Sequence, residues 1–228
     1  MYLIEIVCEF SFNDDDLLKH STEICAIFEK FLGDAESTVR AATFKSLTGF
    51  LCSIEEMEHL KKFEGVLPTL ISKCIECLQA DEESGSTSLG SLVDLVEIHP
   101  AFVKKIATEL VNLFTEIISS NSMAENIRIK GLSGILVISA SLPAIVKKTD
   151  VFKNKTVPAI MKMMTEADTL SLEEWTEELD DEALSKNDPA SAASETLAKI
   201  GYEVTNKFLL PLFIPLIKEA LGNSQWNV

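Results

Sequence analysis

The chain has 228 residues, 46% of them hydrophobic and 25% charged, and its 36 acidic against 20 basic side chains give a net charge of −16 and a pI near 4.6. Nine Gly and seven Pro exclude a collagenous or low-complexity chain and leave an ordinary globular balance. A surface this acidic repels phosphate, which argues against nucleic-acid binding, and it favours basic protein partners through electrostatic steering.

Almost every segment reads with a helical period, and strand signals are nearly absent. Residues 2–12 could be a strand by composition but read better as the tail of a helix. Helices are predicted over 17–32, with Gly33 as the stop and Asp34 able to start the next, and over 35–53. The next runs over 58–78, with Pro68 opening its strongly periodic part. An acidic turn at 81–83 and a helix over 89–98 follow. His99-Pro100 breaks the chain before an amphipathic helix over 101–118. A helix over 122–141 ends at Pro143, and another begins at 157–164. Asp188-Pro189 then offers an N-cap with proline at the first helical position, opening a helix over 190–202. The last helix runs from about 208 to 221, with Pro211 and Pro215 in its first turns.

These helices repeat. GVLPTLISKCIECL around Pro68 and KTVPAIMKMM around Pro158 place their prolines 90 residues apart, and Val39-Arg40 and Ile127-Arg128 lie 88 apart. Half of either interval falls inside the range of about 40–47 residues typical of HEAT and armadillo units. The fold class predicted is all-α, a HEAT-repeat α-solenoid in which antiparallel helix pairs stack because no single pair can bury its apolar faces. The expected units are 1–16 (partial), 17–57, 58–98, 99–148, 149–203 and 204–228 (partial). Both ends look apolar where a terminal repeat should be polar outside, so the chain reads as a slice of a longer solenoid.

The two arginines, Arg40 and Arg128, occupy the same position in the repeat. They are predicted to bridge to carboxylates of the following unit as a structural ladder, since a guanidinium suits bidentate pairing better than an ammonium. Direct partner contact is the other reading.

Little here suggests chemistry. Cys74-Ile-Glu-Cys77 is a lone CxxC that continues the stripe of Leu67, Leu70, Ile71 and Leu78, so core packing is expected rather than metal or redox work. His20, His59 and His99 are scattered, and neither a P-loop, a GxGxxG nor a GxSxG is present. No metal site, cofactor or catalytic residue is predicted, and the chain is expected not to be an enzyme. The five cysteines (Cys8, Cys25, Cys52, Cys74 and Cys77), with no signal peptide, predict reduced thiols in the cytosol or nucleus. The longest uncharged run, 131–146, has 16 residues including three serines and Pro143, which falls short of a membrane span. Lys147, Lys148, Lys153 and Lys155 form a short basic cluster of the kind that is usually a solvated loop.

The exception to this plainness is residues 166–188, where ten acidic side chains face one lysine and Trp175 sits in the middle. Such an insert cannot bury itself and should be solvated. By the repeat phase it falls inside one unit, between the helices at 157–164 and 190–202, rather than between units. A long acidic loop within a hairpin reads better as a docking surface than as a linker.

With these features in place, the chain resembles the importin-β (karyopherin-β) family of nuclear transport receptors, and within it the importin five subgroup. The resemblance rests on SLVDLVEIHPAFVKKIATELVNLFTEII, on ENIRIKGLSGILVISASLPAIVKK, and on VPAIMKMMTEADTLSLEEWTEELDDE with the Ala/Ser-rich and Leu-Pro helices after it. It implies a central HEAT segment that binds basic import cargo and Ran-GTP, with nucleoporin contacts, shuttling between cytoplasm and nucleus. It also implies that Glu173, Glu174, Trp175, Glu177, Glu178, Asp180, Asp181 and Glu182 contact partners. Asp94, Glu97, Glu125 and Asn126, on second helices of pairs, are the implied inner-face contacts. The acidic run is diluted with Leu and Thr, which lowers its charge density. A HEAT scaffold of the phosphatase-regulatory or coat-adaptor kind, without Ran dependence, is the alternative.

Overall fold

The computed structural model describes residues 19–166 and 188–222. Among the described residues every regular element is a helix. The long ones are α1 (Ser21–Leu32), α2 (Ser37–Ser53), α3 (Leu67–Ala80), α4 (Glu82–Ile98), α5 (Ala107–Ser119), α6 (Glu125–Ser141), α7 (Val157–Met164), α8 (Pro189–Val204) and α9 (Asn206–Leu221). None is long and apolar enough to cross a membrane. The chain forms two compact units, Met1–Leu113 and Phe114–Val228, with the division inside α5.

In the first unit α2 packs on α1, α3 and α4, and α3 packs on α4. Phe44, Leu47, Phe50 and Leu51 of α2 are buried, as are Leu89, Leu92, Leu95 and Val96 of α4. Rings tie the pairs together: Phe50 lies 6.0 Å from Phe28 and meets Phe63 edge-on at 5.0 Å. Each such buried side chain contributes about 1.5–3 kcal/mol. Short helical turns at Met57–Leu60 and Lys61–Val66 link the pairs, and Lys105 pairs with Glu64.

Three departures from the sequence reading occur here, the first being that the helix expected over 58–78 splits into the turns at Met57–Leu60 and Lys61–Val66 and α3. The helix expected over 89–98 starts at Glu82, because Asp81 caps it by accepting a 2.8 Å bond from the Ser84 backbone N–H. The Gly- and Ser-rich first turns are weak helix formers, but they let the helices come close, and a Cβ at Gly85 would stand 3.0 Å from the Leu78 Cα. The helix expected over 101–118 is broken as well, into a turn at Pro100–Val103, a tight 3₁₀ step at Lys104–Ile106 and α5.

In the second unit α6 packs on α8, and α7 packs on α8 and α9. Against the end of α5, α6 presents glycines: a Cβ on Gly134 would sit 2.7 Å from the Phe114 ring, and one on Gly131 would sit 2.8 Å from Ile117. Helix contact this close leaves no room for any other residue. Thr115 and Thr156 satisfy each other in the core through a 2.6 Å hydroxyl–hydroxyl bond. The predicted N-cap is present at α8, where Asp188 accepts from the Ser191 backbone N–H at 2.9 Å and from its hydroxyl at 2.7 Å. In α9, which starts at Asn206, Pro211 and Pro215 fall inside the helix, in its second and third turns. Both prolines are exposed on α9.

Candidate functional site

The acidic insert is the first candidate. Glu173, Glu174, Trp175, Glu177, Glu178, Asp180, Asp181 and Glu182 lie outside the described residues. The two ends of the insert are described. Its entry, Glu166, takes a bidentate ion pair from Arg128, with Nη1 to Oε2 at 2.6 Å and Nη2 to Oε1 at 3.0 Å. The same guanidinium donates to the Ile118 carbonyl through Nε (3.4 Å) and Nη2 (3.2 Å). The Arg128 side chain is only 7% exposed, and that of Glu166 27%. Arg128 thus joins the last turn of α5 to the carboxylate from which the insert departs. Its exit, Asp188, is fixed as the N-cap of α8.

The second arginine is placed differently. Arg40 Nη1 donates to the carbonyls of Asp34 and Ala35, both at 2.8 Å, and its Nε is buried without a partner. These bonds brace the turn into its own helix, and no carboxylate of the following unit is among the partners they give it. The two positions of the repeat therefore do unlike work, and Glu76, which the 90-residue proline spacing aligns with Glu166, pairs instead with Lys73 of its own helix.

The predicted inner-face residues separate into two places. Glu125 and Asn126 are exposed in the first turn of α6. Asp94 and Glu97 are exposed on α4, where they line a groove of about 490 Å³ together with Ser91 and Ile98. The opposite wall is α2, with Lys45, Ser46, Thr48, Gly49, Cys52 and Ser53. Asp94 lies close enough to Cys52 to act on its thiol: burial first, then the nearby carboxylate, pushes it up to about 11. The His99 ring lies 3.2 Å from the Cys52 carbonyl, linking the end of α4 to the end of α2.

The sequence reading missed the α2 wall. The signal was available in the spacing, because Gly49 and Asp94 are 45 residues apart, one repeat, and so fall side by side on equivalent helices.

The CxxC contributes to the core. Cys74 and Cys77 are both fully buried, and burial pushes the Cys74 thiol up to about 12. Among the described residues no three His, Cys, Asp or Glu side chains group as a metal site.

An all-α chain of stacked antiparallel helix pairs with these features defines a HEAT-repeat protein. A family model described as "IPO5-like, TPR repeats" matches residues 4–113, and one described as "Importin repeat" matches residues 120–211. The chain belongs to the importin-β (karyopherin-β) family, on its importin-five-like side. Solved structures agree on the fold. The karyopherin Kap121p bound to Nup53p and the same protein bound to Pho4p each superpose with a TM-score of 0.84 at 19% identity, covering 98% of this chain. Kap121p bound to RanGTP gives 0.77 at 20% identity over 89%. The chain spans about a fifth of the Kap121p chain, 22% in the first two structures and 20% in the third.

Proposed function

We propose that this chain is a working segment of a nuclear import receptor that binds basic cargo proteins and Ran-GTP through its repeat surfaces and the acidic insert. It acts by surface binding rather than catalysis, with no cofactor, in a receptor that contacts nucleoporins and shuttles between cytoplasm and nucleus. The observation that carries the reading is membership of the importin family joined to an insert of ten acidic residues. Kap121p, with the same fold, has been crystallised with RanGTP, Nup53p and Pho4p, which supports the choice of partners.

The physics runs the same way. Clustered carboxylates raise the local concentration of Lys-rich surfaces and speed their encounter, an effect that salt screens. Glu173, Glu174, Glu177, Glu178, Asp180, Asp181 and Glu182 supply the charge. Trp175 supplies an aromatic face that can take an aliphatic stem or a cation. Arg128 and Asp188 hold the two ends of the segment that carries them. Asp94 and Glu97 in the first unit, and Glu125 and Asn126 in the second, add further contacts on the second helices of the pairs.

The test is to reverse Glu177, Glu178, Asp180 and Asp181 to lysine in the full-length receptor and titrate Ran-GTP and a lysine-rich cargo over a range of salt. The reading expects weaker binding and a shallower salt dependence. Unchanged affinity and slope would reduce the insert to a linker.

A further inference from the structure

In the second unit an open cleft of about 250 Å³, lined by the end of α5 and by α7, carries a charge opposite to that of the chain. Arg128, Lys155 and Lys162 line it, with Glu166 as its one carboxylate. Arg128 already holds Glu166 in the bidentate pair, so the charge of the two lysines is uncompensated within the cleft. The chain as a whole carries −16. Both lysines are exposed, and among the described residues neither has an ion-pair partner, whereas Lys153, two residues from Lys155, pairs with Asp150 at 3.2 Å.

The backbone holds these lysines in a set relation. About two helical turns separate them, so they share one side of the helix and stand about 10 Å apart along its axis. Lys155 sits in a π-turn, Phe152–Thr156, that leads directly into α7. Such turns are rare and recur at functional sites. This one is pinned to the core by Thr156, whose hydroxyl bonds that of Thr115 at 2.6 Å. Between the lysines in sequence lie Pro158 and Ala159, which with Ile118 give the cleft an apolar stretch. Two ammonium groups set this far apart suit two separate carboxylates. A single phosphate would have to draw both long stems together, at a cost in side-chain freedom.

We propose that this cleft binds an acidic segment of a partner protein. Two carboxylates of the segment pair with Lys155 and Lys162, and an apolar side chain between them lies on Pro158 and Ala159. Screening over about 8 Å at physiological ionic strength lets the local positive charge outweigh the distant negative charge of the chain. The partner is opposite in charge to basic cargo, so the cleft is a separate site and its failure would leave the receptor reading standing.

The experiment uses the 228-residue chain and a fluorescein-labelled peptide in which two leucines separate two pairs of glutamates, followed by anisotropy. On an extended backbone this sets carboxylates about 10 Å apart. Lys155→Glu/Lys162→Glu should weaken the peptide about tenfold or more, because each contact turns from attraction to repulsion. Both positions are exposed, so the variant should keep the parent's circular dichroism and thermal midpoint. Lys207→Glu/Lys218→Glu makes the same charge change on α9 of the same unit and should have little effect. With the parent chain, a peptide carrying glutamines for glutamates should not bind, and serines for the leucines should weaken it about threefold or more. Inorganic phosphate at matched ionic strength should not displace it. No binding by the parent chain, equal loss in the Lys207/Lys218 control, or displacement by phosphate would each overturn the proposal. Binding that appears only after Glu177 and Glu178 are changed to glutamine and Asp180 and Asp181 to asparagine would assign the cleft to the chain's own insert, and overturn it as well.

Discussion

Arg128→Ala should be among the most damaging single substitutions on this chain that leave the apolar core intact. It removes two bonds to Glu166, at 2.6 and 3.0 Å, and two to the Ile118 carbonyl, at 3.4 and 3.2 Å. Removing one partner from a buried pair costs about 3–5 kcal/mol, chiefly because the other charge is stranded. Glu166 is 27% exposed, so water recovers part of that, which places the loss near the lower end. The Ile118 carbonyl, its donor gone, adds about 1 kcal/mol. A net loss of about 3–4 kcal/mol lowers the midpoint of thermal unfolding by about 6–16 °C for a chain of this size. Because stacked repeats can unravel locally, hydrogen exchange across α6 and α7 should be read beside far-UV circular dichroism. Glu166→Ala alone should cost less, and Arg128→Ala/Glu166→Ala much less than the sum, giving a coupling of about 1–3 kcal/mol. Additive losses, or a loss under about 1 kcal/mol for Arg128→Ala, would refute the clamp.

Further outcomes follow from the same contacts. Gly134→Ala forces a methyl to 2.7 Å from the Phe114 ring and should destabilise by about 1–3 kcal/mol in urea titration, whereas Gly49→Ala should stabilise by up to about 1 kcal/mol. Thr205, at φ 72° between α8 and α9, is a β-branched residue in left-handed territory, so Thr205→Gly should gain about 1 kcal/mol by thermal denaturation. Asp188→Ala removes the cap of α8 and should cost about 1 kcal/mol, with exchange rising first at the backbone N–H of Ser191. Cys74, whose burial holds its thiol near 12, should resist alkylation at pH 8 until urea unfolds the first unit.

The helices were legible wherever apolar spacing and a terminal signal agreed. Asp188-Pro189 marked the N-cap of α8, and Pro158 marked α7, because caps and prolines act locally. The start of α4 was hidden because Ser84, Gly85, Ser86 and Ser88 are poor helix formers, and the close approach of Gly85 to Leu78 is a tertiary reason for its place there. The paired arginines showed the repeat but not their partners. Arg128 reaches a carboxylate 38 residues away whereas Arg40 turns back on its own entry turn, and only the packed structure distinguishes them. At the groove, the sequence offered Asp94 and Glu97 through family resemblance. The 45-residue spacing could have set Gly49 beside Asp94, but the open space at Gly49 and the unpaired Ser46 hydroxyl have no one-dimensional signature.

The central claim is that this segment serves an import receptor whose hold on basic cargo is answered by Ran-GTP. The most direct measurement loads the full-length receptor with a fluorescent lysine-rich cargo and titrates Ran-GTP, with the native insert and with Glu177, Glu178, Asp180 and Asp181 reversed to lysine. The account predicts cargo release by Ran-GTP with the native insert, and in the reversed receptor weaker cargo binding together with a higher Ran-GTP requirement. Cargo affinity indifferent to both Ran-GTP and the reversal would contradict it, and would leave a HEAT scaffold with a fixed partner.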